Sequence, residues 1–162
     1  MNIFYINTDP IVAAQELADD HIRKMQIESA QMCCTAHWES GNEAPYKRAH
    51  VNHPSTKWTR ESIQHYRWLV KHGLEICNEF TKRYGKHHKT QNILEWLRDN
   101  EPNIPDNGFK EPPQCMPEEY KNLVAEKIEI SQRASSEIGN MYTASIFMAL
   151  LSSLQEKALN ES

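Results

Sequence analysis

Apolar positions recur with helical spacing along most of this chain. From Pro10 to Trp38 the residues PIVAAQELADDHIRKMQIESAQMCCTAHW read as one long helix, which Thr8 or Asp9 can cap and which should fade at Ser40 and Gly41. At about 3.6 residues per turn, His21, Lys24, Glu28 and Gln31 fall within roughly a quarter of the circumference. Leu17, Met25, Met32 and Thr35 share that face. An otherwise apolar side that carries an imidazole, an ammonium, a carboxylate and an amide is either an unusual core or an active site, and it is read here as an active site.

Ahead of this helix MNIFYI reads as a short strand or extended arm, and behind it Tyr46 to His53 forms a basic loop. A second helix opens at His53 and Pro54 and runs to Gly85, whose position suits a left-handed cap. Trp58, His65, Trp68, Leu69, His72 and Ile76 share one broad face of it, while Arg60 and Arg67 lie together elsewhere. Lys86 to Lys89 is a basic turn, and Thr90 can cap a third helix, QNILEWLRDN, with Ile93, Leu94 and Leu97 as its stripe. Asn100 to Pro117 reads as an ordered crossing loop, with Ile104, Phe109 and Met116 to bury. From Pro117 onward the pattern is helical, and MYTASIFMALLSSLQEKAL is apolar on more than one side, fit to pack on other helices or to form a homodimer. The expectation is an all-α, compact single-domain helical bundle over residues 1–162 with a short extended N-terminal arm.

The length of 162 residues allows one core that buries about two thirds of the unfolded surface. Cys33, Cys34, Cys77 and Cys115 form no CxxC pair, which fits a reduced compartment. No basic-flanked apolar leader and no apolar run of membrane-spanning length is present, so a soluble intracellular protein is expected. The net charge of -4 argues against nucleic acid, yet it is unevenly spread. Between Lys47 and Arg98 stand eleven Lys or Arg against four Glu, with six of the eight histidines. That asymmetry suits one cationic face for phosphate, or else a set of solvated helix faces pairing with neighbours.

Glu28 can serve as a general acid or base, tuned by burial or by Lys24 and His21; the bland competitor is a buried glutamate with a structural partner. The histidines lack HExxH or paired Cys/His spacing, so neither a metal nor another cofactor is expected. No GxSxG and no Gly-rich phosphate loop occurs, and cysteines inside a helix are usually inert. The segment instead interleaves Trp58, Arg60, Tyr66, Arg67, Trp68 and Tyr84, a composition that can hold an extruded base and its phosphates, unless the rings are simply core.

Glu16-Leu17-Ala18-Asp19-Asp20-His21, followed by Glu28, resembles the first helix of the phage pyrimidine-dimer DNA glycosylases of the endonuclease V type. HVNHPSTKW, HYRWLVKHGLEICNEFTKRYGKHH and MPEEYK resemble a broader set of phage proteins that carry that label, so the likeness spans roughly Met1 to Lys121. It implies an all-helical domain without metal, DNA as partner and the infected host's cytoplasm as location. It also implies that His21 contacts the DNA and that Glu28 is the catalytic carboxylate. In the implied mechanism the N-terminal α-amine attacks the sugar C1′ to form a Schiff base while the glutamate assists ring opening and proton abstraction. Free α-amines titrate at about 7.7 to 8.0, so a share is neutral at physiological pH.

Two departures stand out. The family's mature chain starts with Thr, whereas this one begins Met1-Asn2, and a second residue as large as Asn normally prevents methionine removal. The family's aromatic, basic C-terminal segment is replaced by MYTASIFMALL. Three readings follow: a glycosylase or abasic lyase using Met1 or Lys24 as the amine; a transferase joining an amine or amino acid to a hydroxymethylated pyrimidine; or a non-catalytic protein binding DNA or a host protein. The candidate catalytic residues are Glu28, His21 and Lys24. The candidate nucleic-acid contacts are Gln31, His50, His53, Trp58, Arg60, Arg67, Tyr84, Lys86 and His87.

Overall fold

The computed structural model describes residues 1–113 and 115; contacts divide the chain at Cys115, and the unit Met1–Cys115 is the one described. The expected C-terminal helix, its apolar tail and the dimer drawn from it lie outside the described residues. Within those residues the chain is helical and has no strand. The elements are α1 (Pro10–Gln15), α2 (Asp19–Ile22), α3 (Met25–Glu39), α4 (Pro54–Glu61), α5 (Ile63–Tyr84) and α6 (Gln91–Asp99).

The longest, α5, is the axis on which the other five pack. Its broad face is buried as the spacing requires: Trp58 from α4 and His65, Trp68, Leu69, His72 and Ile76 from α5 are all inside. One core cluster joins Ala30, Cys33 and Cys34 of α3 to Tyr66, Leu69 and Cys77 of α5 and Leu94 and Leu97 of α6. A second joins Ala14, Leu17, Ile22, Met25 and Ile76, with Phe4, Phe80 and Tyr84 at its edge. At Gly73 the three helices cross so closely that a Cβ would sit 3.0 Å from Leu94 Cδ2 and 3.2 Å from Ser29 Cβ. Gly85 ends α5 in the left-handed conformation, with its N–H on Thr81 O at 2.8 Å.

The expected first helix is broken twice, and the first break is held from far away in sequence. After α1, capped by Asp9, the chain turns extended at Ala18 before α2 and breaks again at Lys24. The carbonyls freed by the first break are taken up by Arg83 of α5: Nη2 donates to Gln15 O at 2.9 Å and Nη1 to Leu17 O at 2.8 Å. The same guanidinium pairs with Asp19 at 3.0 Å and with Glu79 at 3.0 Å. Burial opposes ionisation of Glu79, but the bonds from Lys82 and Arg83 hold its carboxyl below the usual range.

The second expected helix is also two. Ser62 is extended, and its Oγ accepts from Gln64 N at 3.3 Å and from Asn107 N at 3.1 Å, while Ile63 N donates to Pro105 O at 2.9 Å. The crossing loop is therefore stitched into the junction between α4 and α5. Farther on, Trp58 Nε1 donates to Lys110 O and Lys110 N to His65 Nε2, both at 2.8 Å. Thr90 stands at the start of α6 without capping it; its hydroxyl meets Tyr46 Oη at 3.1 Å instead.

Because a lysine cannot fork between two carbonyls and two carboxylates, Arg83→Lys is expected to lower the unfolding free energy by about 2 kcal/mol. Urea titration checks this, and an unchanged midpoint would contradict it. His72 supplies a second test. It is 2% exposed, stacks on Trp68 at 4.8 Å, and neither ring nitrogen has a partner among the described residues. Burial pushes its pKa down to about 4. The unfolded chain thus takes this proton first as pH falls, so its stabilising share is complete above the ordinary histidine value and is lost progressively toward pH 4. The loss amounts to about 3 kcal/mol. His72→Leu should flatten that slope in urea titrations between pH 7 and pH 4.

Candidate active site

The N-terminal arm folds back over the helices and is held at several points. Ile3 is buried in the larger core cluster, Tyr5 lies against Trp68 at 5.4 Å, and Trp68 Nε1 donates to Thr8 O at 2.8 Å. Met1 is held as well: its side chain is 3% exposed, and Thr56 of α4 donates its hydroxyl to Met1 Sδ at 3.8 Å. These anchors bring the start of the chain to the first turn of α3. There Glu28 Oε2 lies 3.8 Å from the Met1 α-amine and accepts from Asn2 N at 2.9 Å. The Glu28 side chain keeps 28% of its surface exposed.

The basic loop forms the neighbouring wall. Thr35 of α3 donates to Ala49 O at 3.0 Å and accepts from Ala49 N at 3.1 Å. Arg60 Nη1 donates to Val51 O at 2.7 Å, and His50 adopts a left-handed φ of 48°. His53 caps α4, with Nδ1 accepting from Ser55 N at 3.2 Å. Burial, then the charge of the α-amine and that of His50, push the His53 pKa down, while Glu28 acts the other way. His53, His50, Glu28 and the α-amine therefore stand within electrostatic reach of one another.

The remaining candidates separate. His21 of α2 stacks on Phe4 of the arm, with ring centroids 4.0 Å apart. Lys24, at the break before α3, is exposed and has no partner among the described residues, and Gln31 is half-buried. The break at Lys24 interrupts the helix between His21 and Glu28, whereas Gln31 stays one turn after Glu28 on α3. Trp58 is 4% exposed, stacked on His65 at 4.4 Å with its N–H used, and so belongs to the core, without a face for a base. Arg67 is forked onto Glu101 at 2.7 and 2.6 Å. It lies 17 residues before Tyr84 on the same helix, roughly 25 Å along the axis. Tyr84 receives Arg23 Nε at 3.3 Å, with Lys86 and His87 exposed beside it.

The cysteines of α3 and α5 lie deep in the core. Burial pushes the Cys34 thiol up to about 11 and the Cys77 thiol up to about 12, which disqualifies both as nucleophiles at neutral pH. Among the described residues no cluster of His, Cys, Asp or Glu could hold a metal, and no helix is long and apolar enough to cross a membrane. One cleft of about 510 Å³ is lined by Lys57 and Arg60 against Glu39 and Glu61, and it includes neither Glu28 nor the amine. Convergence of functional groups, and not cavity size, locates the site.

The engagement of the amine by Glu28, and the place of His53 and Thr56 beside it, have no signal in residue spacing, since both depend on the arm folding back. No curated protein and no solved structure matches the chain. A family model described as pyrimidine dimer DNA glycosylase matches residues 1–92, more than half of the 162 residues and the portion that holds the arm, Glu28 and His53. The chain belongs to the pyrimidine dimer DNA glycosylase family.

Proposed function

We propose that the protein is a DNA glycosylase with abasic-site lyase activity, acting at the sugar of an extruded base, with the Met1 α-amine as nucleophile and Glu28 as its partner. The observation that carries this reading is the contact of the folded-back chain start with Glu28, 3.8 Å from the amine and 2.9 Å from the next nitrogen. A structural glutamate needs no α-amine, whereas imine chemistry needs a primary amine beside a group that can shuttle protons.

The neutral amine attacks C1′. At an intact nucleoside the base departs with the bonding electrons; at an abasic site the C1′ aldehyde condenses and water leaves. Both give an imine between Met1 N and C1′. Glu28 takes the proton released by the amine, passes it to the ring oxygen as the sugar opens, and then removes a C2′ proton so that the 3′ phosphate leaves by β-elimination. Lys24, Lys86 and His87 are assigned to the DNA phosphates, and His21, stacked on Phe4, to the flank of the opened site.

Borohydride trapping on an abasic duplex tests the reading. A covalent adduct is expected, mapping to the N-terminal peptide, and reductive methylation of the amine should abolish it. Were Met1 removed, the Asn2 nitrogen would become the amine, and the mass of the adduct peptide distinguishes the two. Glu28→Gln should cut the single-turnover rate roughly 100-fold or more with circular dichroism and DNA affinity retained. No adduct at high protein concentration would refute the lyase, and full retention of function in Glu28→Gln would point to a non-catalytic DNA-binding protein.

A further inference from the structure

His53 holds a position that its role as a helix cap does not exhaust. Its Nδ1 accepts the Ser55 N–H at 3.2 Å, so the lone pair of that nitrogen is occupied and the ring proton of the neutral form sits on Nε2. Nε2 lies on the side of the ring away from the helix start, and among the described residues it has no hydrogen-bond partner. The ring is half-buried, and the charges that act on it are those of the α-amine from the arm, Glu28 from α3 and His50 from the loop. Met1 is docked one turn farther along the same helix, on Thr56. The cap, the half-buried ring and the docked methionine together fix an N–H donor next to the nucleophile.

Resting on the lyase reading above, we infer that His53 contacts the substrate as a neutral donor, presenting Nε2–H to a deoxyribose or flanking phosphate oxygen at the carbon the amine attacks. A neutral donor suits this place. An imidazolium would have to surrender the Ser55 cap to carry its second proton, and it would draw the Glu28 carboxylate away from the amine. The donor gains most when negative charge develops on oxygen during ring opening or phosphate departure, so it acts on rate more than on ground-state binding.

His53→Asn and His53→Ser test this, because both keep a side-chain acceptor at the cap and remove the Nε2–H donor. Single-turnover cleavage of an abasic duplex at pH 7.5 is expected to slow roughly 100-fold, with DNA affinity and thermal midpoint unchanged. In the wild type the log of the rate should show an extra falling limb on the acid side of the ordinary histidine range, where His53 takes up its second proton. That extra limb should vanish in both variants. Wild-type rates across the pH range in either stable variant would reduce His53 to a cap and overturn the inference. Absence of a borohydride adduct in the wild-type protein would instead remove the lyase reading, and the inference with it.

Discussion

The Arg83 guanidinium is the contact on which the arrangement of the first forty residues depends. A continuous helix from Pro10 would satisfy its own carbonyls at Gln15 and Leu17; the broken one leaves them without helical partners, which is costly at the part-buried Leu17 carbonyl. Arg83 answers both, and its charge is matched by Asp19 and Glu79. The two breaks let Leu17, Ile22 and Met25 turn into one small core with Ile76 of α5, and they leave a flank for the arm to cross. In this way a residue near the end of α5 governs where Glu28 stands relative to the chain start.

The site follows from that geometry and from a balance of charges. An α-amine placed beside a docked side chain needs an opposite charge, which Glu28 at the first turn of α3 provides, where the helix dipole also favours a carboxylate. His53 adds polarity without a full charge. A second fixed cation at that point would compete for the same carboxylate, so capping and partial burial of the ring keep the pair intact. That the site lies outside the 510 Å³ cleft suits a macromolecular substrate. DNA brings its own walls, and an extruded nucleotide needs converging groups more than an enclosed cavity.

Periodicity made the buried face of α5, the Gly85 cap and the Leu94 and Leu97 stripe legible, because each depends on neighbours within a turn or two. It failed where a distant partner intervened. Past Pro10 the pattern to Trp38 contains no Gly or Pro, and its first break is held by a residue more than sixty positions away. Ser62 is an ordinary helix residue until the loop at Pro105 and Asn107 meets it. Glu28 could be singled out as a carboxylate on a mixed face, and the family motif implied an amine partner, yet residue spacing could not place the chain start against it. Trp58 illustrates the opposite error: an aromatic among basic residues looks fit for a base, but Lys110 O and His65 consume its edge and face.

The excess of positive charge between Lys47 and Arg98 changes meaning for the same reason. All five of its arginines are engaged: Arg67 by Glu101, Arg48 by Glu39, Arg98 by Asp99, Arg83 by Asp19 and Glu79, and Arg60 by a loop carbonyl. Four of those acidic partners, Asp19, Glu39, Asp99 and Glu101, lie outside the run, so the fold cancels much of the asymmetry seen along the chain. Exposed Lys47, Lys57, Lys71, Lys86 and Lys89 form no ion pair among the described residues, and Lys24 joins them from the first break. Arginine forks recognise planar acceptors in fixed geometry, whereas lysines are hydrated point charges that accept many phosphate positions. A surface whose unpaired cations are mostly lysines is suited to hold a duplex backbone without reading its sequence.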